Sequence, residues 1–234
     1  MTAGGASASD MGKDLRGQAA NARARRQSGG KVVRGQSETA LKKQAKAWDA
    51  GSVGEGRAQR KLDLLKKYGF TTLHDVLLEP GKKWNLDHLV IGPAGIYFID
   101  AKNWRGHINV RNGQVWRRWF AGRVQGVKTE NMEREVNKVR GMAAHASARL
   151  GTKVTPVICL AGAKSRHFDG GPDGTTTASG VVIVSVDKVM PWLRDAKPVL
   201  APELVAMNVQ LAKRLFPPAT PPNPEKEWVK GFRE

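Results

Sequence analysis

The stretch from Asn85 to Lys102 constrains the fold more than any other part of the chain. Asn85-Leu-Asp-His-Leu-Val-Ile91 and Ile96-Tyr-Phe-Ile-Asp-Ala-Lys102 are short and rich in β-branched and aromatic residues, and Gly92-Pro-Ala-Gly95 between them is turn chemistry. The reading is two antiparallel strands joined by a four-residue turn. If Ile91 pairs with Ile96, the register sets Asp87 directly opposite Asp100, with Cβ atoms roughly 4.5–5.5 Å apart. Alternation of side chains along a strand then places Lys102 on the same face as Asp100. Two carboxylates that face each other repel unless a cation sits with them. Two acids and a lysine on one patch can cradle a hard divalent cation and a phosphate. The plainer alternative is a cross-strand salt bridge at the sheet surface.

The rest of the chain supports an α/β layer arrangement around a mixed sheet. Ser37 is placed to cap a short helix with Leu41, Ala45 and Trp48 on one stripe, which Gly51 and Gly54 would break. A second helix is expected from 54 to 68, with Ala58, Leu62 and Leu65 as its core stripe and Glu55 at the head of that stripe. Ser52-Val-Gly-Glu55 also reads as a capping box, a role that would explain Glu55 without chemistry. Strands are expected at 70–79, 84–91 and 96–102, and a hairpin at 108–111 and 114–119 around Asn112-Gly113. A helix follows over 129–150, with Met132, Val136, Val139, Ala143, Ala146 and Leu150 on one face. Buried strands are expected at 155–160 and 181–186 around a Gly/Thr/Ser-rich loop at 162–180. Helices at 187–194 and 202–215 close the domain, which spans 37–216.

The ends differ in composition. Residues 1–36 are rich in Gly, Ala, Ser, Gln and Arg, with few large apolar residues, and are expected to form a disordered basic arm. Residues 217–234 begin with a proline-rich run and are expected to be extended rather than packed. The chain of 234 residues carries a formal charge of +18, so polyanions are its expected partners, nucleic acid before anionic membrane. Trp104, Arg105, Arg117 and Arg118 lie near the central hairpin, where aromatic and arginine residues alternate in the manner of a nucleic-acid surface. Trp116 reads as core or sheet packing. Cys159 is the only cysteine, so neither an internal disulfide nor a cysteine-built zinc site is available. No run approaches the length of a membrane span, and no apolar leader is visible, so the expected location is cytoplasmic.

Gly54-Glu55, the segment Asn85–Asn103 and Gly106-His-Ile108 together resemble the nuclease-related domain (NERD) family of the PD-(D/E)xK nuclease superfamily, over roughly residues 48–160. The resemblance implies a restriction-endonuclease-like core, a central mixed sheet with helices on both sides. It implies that Asp87, Asp100 and Lys102 are the superfamily's two acids and lysine, and that Glu55 is the helical glutamate preceding the sheet. The family more often carries Glu where Asp100 stands. The helix after the strands often opens with Asn-Pro and a nearby Gln in that family, and here Asn131-Met-Glu-Arg134 keeps only the Asn. The implied activity is metal-dependent phosphodiester hydrolysis, of DNA before RNA, with Mg2+ (or Mn2+) held by Asp87, Asp100 and Glu55. The competing expectations are a non-catalytic nucleic-acid-binding module on the same fold, or a basic protein of the membrane surface.

Overall fold

The computed structural model describes residues 13–21, 38–79, 84–104, 106–122, 125–162, 168, 170–171 and 173–219. Its centre is a six-stranded mixed sheet in the order β1-β2-β3-β7-β9-β8. The strands are β1 (Thr71–Leu77), β2 (Asn85–Gly92), β3 (Gly95–Lys102), β7 (Val154–Leu160), β8 (Thr175–Ala178) and β9 (Val181–Ser185). β1, β2 and β3 form an antiparallel meander, and β3, β7 and β9 run parallel. A second sheet of three antiparallel strands, β4 (His107–Arg111), β5 (Gln114–Phe120) and β6 (Val127–Asn131), stands beside it.

Helices cover both faces of the larger sheet. α3 (Glu133–Leu150) and α5 (Pro202–Leu215) bury Val136, Val139, Ala143 and Ala212 against Leu89, Ile91, Phe98 and Ile158. On the other face, α2 (Glu38–Asp63), the 3-10 turn Leu64–Tyr68 and α4 (Val189–Asp195) pack Ala58, Leu62, Leu65 and Leu193 against Val90, Tyr97, Ile99 and Val157. Strands buried on both faces are near-continuous apolar runs, which is how β2, β3 and β7 read.

Several elements depart from the sequence reading. α2 runs unbroken through Gly51 and Gly54. Gly54 is there for close approach: a Cβ at this position would meet Asn103 Cβ at 3.1 Å and Ala161 Cβ at 3.4 Å. The central turn is tighter than expected, because Gly92 pairs with Gly95 and only Pro93 and Ala94 remain between them. β6 occupies part of the segment read as helix from 129; its five residues are all exposed, so no apolar alternation marks it. β8 lies within the stretch read as loop. The basic arm is not wholly without structure: residues 13–21 form a helix, α1, whose Leu15 and Ala19 bury against Leu41 and Ala45 of α2. A four-residue apolar spacing suffices to dock one helical turn. The rest of residues 1–36 lies outside the described residues.

The start of the proline-rich tail is packed, against expectation. The Leu77 N–H donates to the Pro217 carbonyl at 2.8 Å, Val76 bridges Pro218, and the Ala219 N–H donates to the Asp75 carbonyl at 2.8 Å. Prolines cannot donate, but their carbonyls accept, so this segment caps the exposed edge of β1. Residues 220–234 lie outside the described residues. Phe216 anchors the segment in the core, fully buried beneath the Arg149 guanidinium at 5.1 Å from its ring centroid. Phe216→Ala should lower unfolding free energy by about 3–5 kcal/mol in urea titrations. A loss under about 1 kcal/mol would mean that the strap is held by its backbone bonds alone.

Candidate active site

The sheet is distorted where the acids lie. β1 and β2 pair regularly from Thr71↔Ile91 to His74↔His88 and again at Val76↔Leu86, but the rung between, Asp75 and Asp87, is missing. Asp75 has φ +45°, a left-handed conformation that short polar side chains tolerate best. The pleat slips at this point, so Leu73 and Val76 both face the α3 side although they are three residues apart. Asn85 Nδ2 donates to Asp75 Oδ1 at 2.9 Å, and the Ala219 N–H holds the Asp75 carbonyl from outside.

The hairpin register agrees with the sequence reading as far as it extends. Ile91 pairs with Ile96 and His88 with Ile99. The next rung, Asp87 with Asp100, is not made as a backbone pair. β2 diverges here, and the Asp87 carboxylate takes the place of the lost backbone acceptor: the Ala101 N–H donates to Asp87 Oδ2 at 2.9 Å. Asp87 therefore lies in the fork between β2 and β3.

Asp100 is 4 % exposed. Lys102 Nζ stands 2.8 Å from Asp100 Oδ2 and 3.5 Å from Glu135 Oε2, so β3 alternation and α3 packing bring the ammonium between two acids. Asp100 Oδ2 has no further donor among the described residues. Glu55 enters from α2, the helix of the opposite face, at the point where Gly54 crosses the ends of β3 and β7. The continuous α2 also removes the capping explanation: Ser52 is not a helix start, so no orphan N–H waits there for Glu55.

These acids act on one another. Burial, followed by the charges of Asp100 and Glu55, holds the Asp87 carboxyl well above the usual carboxylate range, against the pull of Lys102 and the Ala101 N–H. Burial likewise raises Glu55, followed by Asp75 and Asp100, with Lys102 opposing. For Lys102, burial disfavours the charge, but Asp100 outweighs it and its pKa rises. Lys102 is thus a permanent cation in the physiological range. Burial and then Asp100 also push the neighbouring Cys159 thiol up to about 12, which makes it an inert core group.

The donor set is hard oxygen, with Asp100 Oδ2 buried and short of donors, and this suits a Mg2+-like ion that takes one or two carboxylates and keeps its waters. Glu55, Asp87 and Asp100 do not close into a ready cage: no group of three or more His, Cys, Asp or Glu is near enough to hold an ion by itself among the described residues. Sequence reasoning missed Asp75 and Glu135. Asp75 carried the weak signal of an aspartate inside an apolar strand, whereas Glu135 had none, since only the packing of α3 brings it to Lys102. Asn131, the family-like residue before that helix, accepts from the Glu133 N–H at 2.8 Å and so starts the helix rather than reaching the acids.

The expected nucleic-acid residues separate. Trp104 packs partly against the core. Arg117 faces inward on the small sheet, with its guanidinium 4.4 Å from the Trp119 ring centroid and 3.7 Å from Glu130. Arg118 faces outward, and Arg105 lies outside the described residues. His88 is structural: burial and then His74 bring its pKa down to about 3, and it stays neutral at 2.8 Å from His74 Nδ1. No helix among the described residues is long and apolar enough to cross a membrane.

Residues 50–161 match the family model described as "Nuclease-related domain", NERD. No curated protein and no solved structure matches the chain.

The raised Asp87 sets a stability test. A carboxyl whose folded pKa lies above its unfolded value supports folding while neutral and loses that contribution as pH rises through the folded pKa. Asp87→Asn keeps an acceptor for Ala101 and removes the charge. It should raise the melting temperature by at least about 2 °C at pH 8, with the gain shrinking toward pH 4. An equal loss of stability at both pH values would mark Asp87 as a purely structural acceptor.

Proposed function

Since residues 50–161 belong to the nuclease-related domain family, we propose that the chain is a metal-dependent nuclease that hydrolyses phosphodiester bonds, DNA before RNA. One observation carries the reading: Lys102, Asp100 and Asp87 meet at the fork of β2 and β3, with Glu55 close enough to raise their mutual charge cost. An arrangement that holds several acids beside one lysine is unfavourable for the empty fold and gains from a cation. Asp87, Asp100 and Glu55 would hold the Mg2+. Bound there, the metal would orient the attacking water and offset charge on the phosphate.

The chain's own groups define the remaining roles. Lys102, kept protonated by Asp100 and Glu135, is an electrostatic partner for the phosphate oxygens rather than a proton acceptor. Glu135 keeps Lys102 aimed when Asp100 turns to the metal. Glu55, with its pKa raised, is suited to take a proton from the attacking water. In the reaction, the water oxygen forms the new P–O bond as its proton passes to Glu55, the bond to the departing sugar oxygen breaks, and that oxygen takes up a proton from solvent to leave as a hydroxyl, Glu55 later giving its own proton back to solvent. Asp100 is one methylene shorter than the glutamate the family more often carries, so its carboxylate stands nearer the β3 backbone. The outward Arg118 is a candidate phosphate contact.

Two measurements test the proposal. Plasmid or linear DNA incubated with Mg2+ should be cut by the wild type, and Asp100→Asn should lose about 10²–10³-fold or more in rate while melting no lower than wild type. Mg2+ should also raise the wild-type melting temperature, by an amount that grows with the logarithm of its concentration above Kd, and leave that of Asp87→Asn unchanged. Tight, steeply salt-dependent DNA binding without turnover would instead support the non-catalytic module.

A further inference from the structure

The small sheet has two unlike faces. Its inner face carries Ile108 and Val115, both buried in the core, and the one acid of β6 described there, Glu130, opposite Arg117. Its outer face is set by the same register. His107 stands opposite Arg118, Arg111 opposite Gln114, and Phe120 opposite Val127, with Trp116 between. Along all three strands, no aspartate or glutamate stands on that outer face. Phe120 is 66 % exposed and Val127 55 %, and their pairing across β5 and β6 joins them into one apolar patch. A groove of about 490 Å³ runs along this face, lined by Arg111, Trp116, Arg118 and Val127, and a second of about 430 Å³ continues it to His107 and Phe120.

We propose that the outer face of β4-β5-β6 is a docking platform for single-stranded nucleic acid, with Trp116 and Phe120 stacking on bases and Arg111 and Arg118 on phosphates. The proposal builds on the nuclease reading by naming the substrate form. Aromatic rings on a sheet face can stack only on bases whose own faces are open, and in a duplex those faces are occupied by neighbouring pairs. The charge of the face fits the sugar–phosphate chain: arginines without acids, on a chain of formal charge +18. The platform is also fixed to the catalytic strand. β4 starts five residues after Lys102, and in the connection Gly106 has φ +104° and lies so near β5 that a Cβ would meet the Arg118 carbonyl oxygen at 2.3 Å. The platform thus begins a few residues along the chain from Lys102.

The test is binding by the full chain, in EDTA, of fluorescein-labelled oligothymidylate and of a labelled duplex of equal length, followed by anisotropy. Phe120→Ala and Trp116→Ala should each weaken single-strand binding by about tenfold, and Trp116→Phe should restore most of it. Arg118→Gln should flatten the salt dependence of single-strand binding. Duplex affinity should change less than twofold in the aromatic variants. Phe120 is exposed, so its variant should melt with the wild type, which keeps the test independent of folding. Single-strand affinity unchanged in both aromatic variants, or equal losses on duplex, would overturn the platform. So would a change in sedimentation coefficient without a change in oligonucleotide affinity, since that would assign the face to a second copy of the chain. Cleavage is read separately. A chain that binds single strands through these residues but never cuts DNA or RNA fails the nuclease reading alone, and variants that cut and bind like wild type fail the platform alone.

Discussion

The carboxyls of Asp87, Asp100 and Glu55 oppose one another's ionisation in a region largely withdrawn from water, and among the described residues the Lys102 ammonium offsets them there. Charges at such range interact far more strongly than in bulk water. The surrounding structure serves to hold that arrangement. β3 supplies two of the groups at alternate positions, so their spacing is fixed by the pleat. β7 and the apolar layer of α3 prevent β3 from moving, and Glu135 approaches from α3 to share the lysine. The Asp87 carboxylate replaces a strand carbonyl as acceptor for Ala101, so the fork cannot close without losing its own hydrogen bond. Local instability of this kind is ordinary where stability and activity compete.

The Asp75 kink is the second device. A regular β1–β2 ladder would send alternate residues to alternate faces and leave Asp75 and Asp87 locked in backbone pairing. With Asp75 in the left-handed region, the ladder skips one rung, the apolar residues on either side still reach the same core, and Asp87 is released toward β3. The cost is one rung of the β1–β2 ladder. Asn85 and the Ala219 N–H offset it.

Much of this was legible in the sequence. The hairpin register followed from one turn and from β-branched flanks, because a slip of one residue would turn every apolar side chain to the wrong face. That alone placed Asp87, Asp100 and Lys102 together. Glu55 was legible only as an ambiguity between a cap and a functional acid, and it was the continuity of α2 through two glycines that removed the cap. Gly54 looked like a helix breaker since its purpose, room for Asn103 and Ala161, lies on distant elements. Glu135 and Asp75 depend on packing and on a backbone flip, neither of which leaves a periodic trace. β6 was missed because Val127-Lys-Thr-Glu-Asn131 has no buried side, being paired at its backbone but open to solvent on its faces.

The strap at Pro217–Ala219 has a consequence for how the protein is made. Leu77 and Pro217 are 140 positions apart along the chain, yet the second holds the first, and Ala219 braces Asp75 from the same place. Ribosomes deliver about 5–20 residues each second, so the kinked edge waits many seconds for its brace. Until then a growing polypeptide possesses the acidic residues without the backbone brace at Asp75. A nascent chain therefore sets its kinked edge late, only after the strap itself has emerged.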